Sequence, residues 1–174
     1  MLVVDYSRAG ENYAVGVVAE GSTHRLARVI AEEAGCALVD IGTVEPYPLG
    51  YEEAKAVIQR ELETGARPAV RWDEGMDGAL ADARAVALGY PIWCGSLPAP
   101  VRSFLDAVDL DGRIILPFCT HGGSGFARTL TELRDALPAA DIRPGLAVLG
   151  EDAQRDPESL RPRVAAWLGG QPDV

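Results

Sequence analysis

The sequence holds a single lysine, Lys55, among sixteen lysine and arginine positions, and only two histidines, against twenty-six carboxylates. The formal net charge of −10 argues against nucleic acid or an anionic membrane surface as a partner, because both would repel the chain. Three cysteines, Cys36, Cys94 and Cys119, form no C-x-x-C pair. That excludes a disulfide framework and the usual zinc spacing, and it fits a reducing, cytoplasmic setting. No apolar run reaches the length of a membrane span, about eighteen residues. Met1 to Asp5 carries no basic stretch, so it is not read as a signal peptide. A Walker A loop is missing because no lysine follows the glycine-rich segments, and no G-x-G-x-x-G fingerprint is present. No serine sits in G-x-S-x-G, so His121-Gly122-Gly123 does not belong to a serine hydrolase.

What remains is a chain of 174 residues, 48% apolar and 24% charged, enough for one domain with its own core. Short β-branched apolar runs alternate with amphipathic stretches. Strands are expected at Leu2-Val3-Val4, Cys36 to Ile41, Arg84 to Tyr90, Arg113 to Cys119 and Ile142 to Leu149. Helices are expected at Ser22 to Glu33, stopped by Gly35, and at Tyr51 to Glu63, Pro98 to Val108, Phe126 to Leu137 and Pro157 to Leu168. Residues 64–83 read as an irregular insert with room for a short helix. Strand starts recur about every 30 residues apart from that insert, the length of a βα unit. Strict β/α alternation predicts a parallel sheet covered on both faces, as one domain over residues 1–174. The common five-strand order is 2-1-3-4-5, with the ligand outside the carboxyl ends of strands 1 and 3.

The unusual residues fall after strands 1, 3 and 4. Ser7-Arg8-Ala9-Gly10 and Gly21-Ser22-Thr23 bracket the start of the first helix, where hydroxyls and free amides suit an anion held by neutral donors. Tyr90-Pro91-Ile92-Trp93-Cys94-Gly95 offers aromatic faces and a flexible backbone to a flat ring. Thr120-His121-Gly122-Gly123-Ser124-Gly125 is a glycine-rich surface dense in N–H donors. Together they describe a phosphate cradle at one end of a pocket and a planar polar ring at the other, the shape of FMN. Cys94 and Cys119 border this pocket and read as ordinary thiols rather than a redox pair. His24, a cation at a helix N-terminus, is expected to assist the phosphate.

These stretches, with Tyr6 before them, Glu11-Asn12 after Gly10, and Pro46-Tyr47-Pro48 after strand 2, resemble the flavodoxin family over nearly the whole chain and in order. The resemblance implies a flavodoxin-like three-layer doubly wound sandwich that binds FMN without a covalent bond and carries electrons. By the same resemblance Ser7, Gly10, Ser22 and Thr23 hold the phosphate. Pro91, Ile92, Trp93, Cys94 and Gly95 line one side of the isoalloxazine, while Thr120, His121, Gly122, Gly123, Ser124 and Gly125 line the other. Gly95 would let a backbone carbonyl turn toward flavin N5, and His121 would cap its own loop. The implied partner is a basic reductase or acceptor protein docking on acidic groups, with Asp106, Asp109, Asp111, Asp73, Glu74 and Asp77 as candidates, and the chain is expected as a monomer or weak homodimer. The runner-up is an FMN-dependent NAD(P)H:quinone-type oxidoreductase on the same fold. Two features depart from the family. Ser7 to Thr23 spans 17 residues where the compact S-x-x-G-x-T form has six, and the extra length, with Tyr13, Val15, Val17 and Val18, is expected to fold over the ribityl chain. Cys94 stands where the family often has a second tryptophan.

Overall fold

The computed structural model describes residues 1–73 and 75–174. The chain runs β1 (Leu2–Tyr6), β2 (Gly10–Asn12), β3 (Gly16–Val18), α1 (Ser22–Ala34), β4 (Leu38–Thr43), α2 (Tyr51–Thr64), β5 (Val70–Arg71), α3 (Met76–Asp82), β6 (Ala85–Pro91), α4 (Ala99–Ala107), β7 (Ile114–His121), α5 (Thr129–Ala136), β8 (Asp141–Ile142), β9 (Leu146–Leu149) and α6 (Gly150–Arg155). A 3₁₀ turn, Pro157–Leu160, then leads into α7 (Arg161–Gly169). The parallel core is ordered β4-β1-β6-β7-β9, which is the expected 2-1-3-4-5.

Three details depart from the sequence expectation. The insert adds β5 antiparallel to the edge of β4, with α3 after it, and this strand, together with a break in the last one, brings the sheet to seven strands rather than five. The last expected strand is broken into β8 and β9, both paired to β7. Pro144 lies in the break and has no N–H to donate to a ladder, and Gly145 is pressed against the Phe126 ring and the Pro117 carbonyl. The closing helix is also preceded by α6, a separate short helix that starts directly at Gly150.

Strand side chains alternate between the two faces, and each face builds a core. Leu2, Val4 and Tyr6 of β1 join Val86, Leu88 and Tyr90 of β6 under α2 to α5. Val3, Ala87, Leu116 and Phe118 pack under α1 and α7 through Leu26, Ile30 and Val164. Gly89 is required on this second face: a Cβ there would fall into the Phe118 ring. Gly35 ends α1 in the left-handed conformation (φ 61°), as its position predicts. Among the described residues no helix is long and apolar enough to cross a membrane.

Candidate functional site

Parallel strands deliver their following loops to one edge of the sheet, and register decides which loops meet there. Pro91 pairs with Thr120 across β6 and β7, and Ile92 N–H extends the ladder to the Thr120 carbonyl at 2.9 Å. The loops after these strands therefore leave side by side. Next to them, β1 delivers Ser7 beside the start of α1. The result is a cleft of about 350 Å³, in the range of small-ligand sites. Ser7, Ser22 and Thr23 line one end, Pro91 to Gly95 one wall, and Thr120, His121, Gly122 and Ser124 the other.

The anion end is built from neutral groups. The N-cap residue of α1, Gly21, has no side chain to cap it, and the first turn holds no acidic residue, so the Ser22 and Thr23 amides and the positive end of the helix dipole remain available. Gly21, the residue before the helix, lies so close to Ser7 Oγ and the Arg8 backbone that any Cβ would fill the space. Ser7 Oγ accepts the His24 N–H at 3.2 Å, which leaves the hydroxyl hydrogen free to donate. Thr23 and Thr120, both buried, share one hydrogen bond at 2.7 Å. One hydroxyl hydrogen of that pair is used, and the other is free. Arg8 does not face the cleft as a cation with open donors: its guanidinium donates to the carbonyls of Pro48, Leu49, Gly50 and Glu11 at 2.7–3.2 Å. Burial holds its pKa below the usual value. It is a strut between β2 and the loop before α2.

The wall after β6 is held firmly. Trp93 and Ser96 exchange backbone hydrogen bonds at 3.2 and 2.9 Å around Cys94 (φ 50°) and Gly95 (φ 74°), so both central residues have the positive φ of a type I′ turn. Trp93 is 9% exposed and packs edge-on to Tyr6 (5.3 Å) and Tyr47 (5.0 Å). The Pro46-Tyr47-Pro48 motif thus supports Trp93, and Tyr47 O–H is anchored on Glu61 at 2.7 Å. Tyr90 is wholly buried, with its O–H donating to Thr129 Oγ1, so it offers no stacking face. The Gly95 carbonyl accepts Arg128 N–H at 3.3 Å, a bond it would have to give up to turn toward a flavin. Cys94 is exposed and Cys119 is buried; both are free thiols.

The wall after β7 is looser. His121 Nδ1 accepts the Gly123 N–H at 2.9 Å, which fixes the neutral tautomer with hydrogen on Nε2. Burial, with Arg163 adding to it, pushes its pKa down. His121 therefore caps its loop. Gly123 (φ 124°) and Gly125 (φ 58°) shape the loop but do not line the cleft. Gly10 also stays out of the lining: it is buried where a Cβ would meet the Leu49 carbonyl at 2.6 Å.

A third wall comes from the long segment between Ser7 and Thr23, expected from its length to fold over the pocket; Val17 of that segment instead stays exposed. The extra length between Ser7 and Thr23 folds as the β2–β3 hairpin, and its turn brings Tyr13, Ala14 and Val15 to the cleft. The Tyr13 ring lies over Gly122, where a Cβ would come within 2.5 Å of it, and 6.2 Å from Tyr51. Lys55, Ala54 and Ile58 of α2 complete this side. The α2 residues carry an apolar helical stripe that reads equally well as core, so only the crossover shows that part of it is open.

His24 turns away from the cleft. Its Nδ1 faces Asp5 and Asp40 at 3.2 and 2.7 Å, so the imidazole is committed to carboxylates. Hydrogen bonds and charge from Asp40 and Asp5 raise its pKa to about 10, and burial raises that of Asp5 to about 7. Of the acidic groups expected as a docking rim, Asp106 lies in the last turn of α4 and Asp109 and Asp111 follow it, where the chain returns to the start of β7 at the end of the sheet opposite the cleft. Asp106 there pairs with Arg67 at 2.7 Å. Glu74 lies outside the described residues.

The flavodoxin family pattern matches residues 13–161, and the chain belongs to the flavodoxin family. Solved structures share its fold. A candidate flavoprotein from Bacteroides uniformis ATCC 8492 matches with a TM-score of 0.74 at 23% identity, over 97% of this chain and 97% of its own. A flavoprotein from Lactobacillus acidophilus NCFM, solved in complex with FMN, gives 0.64 at 18% identity over 91% and 97%. Oxidised flavodoxin 2 from Bacillus cereus gives 0.53 at 17% identity over 97% of both chains. No curated protein sequence matches the chain.

Proposed function

We propose that the cleft holds FMN without a covalent bond and that the chain carries electrons between FMN and a basic protein partner. The observation that supports this most directly is the uncapped start of α1. The free Ser22 and Thr23 amides and the Ser7 and Ser22 hydroxyls converge at one end of a cleft with largely apolar walls. A phosphate monoester fits neutral donors at a helix N-terminus, and a planar ring fits between the 91–95 and 120–124 walls. The FMN complex of the Lactobacillus protein lends the same reading weight. When bound, FMN supplies one- and two-electron redox chemistry.

The chain's own residues bind, orient and screen. Ser7, Ser22 and the α1 amides take the phosphate, and the Thr23–Thr120 pair ties the start of α1 to the end of β7 beneath it. The Cys94–Gly95 turn sets one wall, Gly122 and Ser124 present donors on the other, and Tyr13 shields the mouth from water. Exposed Glu52 and Glu53 at the start of α2, with Glu151 in the lining, form an acidic rim for a basic redox partner, which would steer encounter.

Titration of the purified chain with FMN, followed by flavin fluorescence and the visible spectrum, tests the binding step; a folded chain that leaves FMN fluorescence unchanged rejects it. The Ser22→Asp variant is expected to stabilise α1 while lowering FMN affinity about a hundredfold through like-charge repulsion. Bleaching of the bound flavin by dithionite but not by NAD(P)H supports the carrier reading. Direct bleaching by NAD(P)H favours the NAD(P)H:quinone-type oxidoreductase instead.

A further inference from the structure

A second hollow, of about 450 Å³, opens on the far side of the β2–β3 hairpin stem, between the stem and the β4–β5 edge. Among the described residues Ser7 is the one common to its lining and that of the cleft. Beneath it three chemistry-bearing side chains converge. Asp5 comes from β1, His24 from the first turn of α1 and Asp40 from β4, and one ligand atom of each lies within 4.8 Å of the other two.

The hydrogen-bond inventory of this cluster does not close. His24 Nδ1 carries at most one hydrogen, yet it faces two carboxylate oxygens, Asp5 Oδ1 at 3.2 Å and Asp40 Oδ1 at 2.7 Å. Asp5 is 1% exposed, and its second oxygen, Oδ2, is buried with no hydrogen-bond partner. A buried carboxylate oxygen without a partner calls for one. The carboxylate that bears it already faces the other two groups.

We propose that His24 Nδ1 and the carboxylates of Asp5 and Asp40 bind a divalent first-row transition ion of the zinc type. Imidazole with carboxylate oxygen is a donor set suited to such an ion. Bonds of about 2.0–2.2 Å in tetrahedral geometry put ligand atoms about 3.4 Å apart. The Asp5 spacing meets this, and the Asp40 spacing meets it after exposed Asp40 moves outward by a fraction of an ångström. The ion takes the place of the Nδ1 proton, which leaves to solvent, and the two carboxylates then balance its charge. His24 Nε2 lies 3.7 Å from Glu20 Oε1, and Glu20 is held by Arg28 at 3.2 Å. A ligating histidine whose other nitrogen faces a carboxylate is the arrangement that orients metal-bound imidazoles. His24, Asp40 and Glu20 all line the hollow, so the fourth coordination position opens onto water or a small exchangeable ligand. The site stands independently of FMN binding.

Zinc titration of the chelator-treated protein tests the proposal, by calorimetry and by the ring ¹⁵N resonances of its two histidines. One equivalent is expected, with a shift of His24 Nδ1 and none of His121. Asp40→Asn, at an exposed position that leaves the core intact, and His24→Gln are each expected to abolish that stoichiometric binding. Glu20→Gln, acting through His24, is expected to weaken it about tenfold. A folded protein that takes up no zinc overturns the proposal. So does binding that survives Asp40→Asn, or binding that shifts His121 instead of His24.

Discussion

The two loops that wall the cleft start from paired residues, Pro91 and Thr120, and then diverge in how they are held. The 92–97 loop is tied on every side. Glu132 of α5 accepts the Leu97 N–H at 2.7 Å and the Ser96 hydroxyl at 2.8 Å, and it pairs with Arg128 at 2.8 Å and Arg102 at 3.0 Å. The 121–125 loop is held by local bonds, from Gly123 N–H to His121 Nδ1, from Ala127 N–H to the Ser124 carbonyl at 3.3 Å and from the Cys119 thiol to the Gly125 carbonyl, with no carboxylate anchor among the described residues, and Gly122, Gly123 and Ser124 are exposed. One wall is preorganised by a half-buried carboxylate. The other keeps its N–H groups open and its backbone free to settle around a ligand, which is what a wall that must adapt requires.

Removing the carboxylate is the most direct way to erase this contrast. Glu132→Ala is expected to lower unfolding free energy by about 2–3 kcal/mol, since it breaks charge-assisted hydrogen bonds to groups left without partners. Urea denaturation measures it, and a loss under about 0.5 kcal/mol would mean that the two loops are equally loose. The pH dependence sharpens the same point. Burial pushes the Glu132 carboxyl up, but the Leu97 amide, the Ser96 hydroxyl, Arg128 and Arg102 together outweigh it and hold the pKa below the ordinary value. A lowered carboxyl pKa stabilises the fold above its unfolded value, 4.5, and that contribution is lost as pH falls through the folded value. The stability advantage of the native chain over Glu132→Gln is therefore expected to be full near neutral pH and to shrink steadily below about pH 4.5.

Smaller effects bear on the junction of the two loops and then on each loop. Thr120→Val removes the buried hydroxyl pair with Thr23 and is expected to cost about 1 kcal/mol in thermal or urea unfolding. Cys94→Gly relieves a side chain held at φ 50° and is expected to stabilise by about 0.5 kcal/mol; a destabilised variant would mean that Cys94 makes a contact worth more than its strain. His121→Ala, in the loose loop, is expected to change stability by less than about 0.5 kcal/mol. A loss as large as that of Glu132→Ala would reverse the comparison.

Much of the site was legible along the chain because its backbone signals are local. Ser22 and Thr23 after Gly21, Pro91 before Trp93 and Gly122 after His121 each announce a loop or helix start wherever the rest of the protein lies. Tyr90 misled for the same reason: an aromatic beside a proline reads as a pocket wall, and only its strand phase in the packed sheet puts it in the core. Tyr13 was expected over the pocket only from the length of its segment; its seat over Gly122 depends on the Arg8 strut to carbonyls some forty residues away.

The order 2-1-3-4-5 was expected from the common arrangement of five-stranded doubly wound sheets; sequence alone determined the strands, the helices and their alternation. Those follow from a two-residue and a 3.6-residue periodicity, which each segment carries within itself. Tertiary structure decided which distant charges meet: Glu132 with the 96–97 loop, and His24 with Asp5 and Asp40. Ionic partners are chosen by where the crossovers set one element on another, and no local period encodes that.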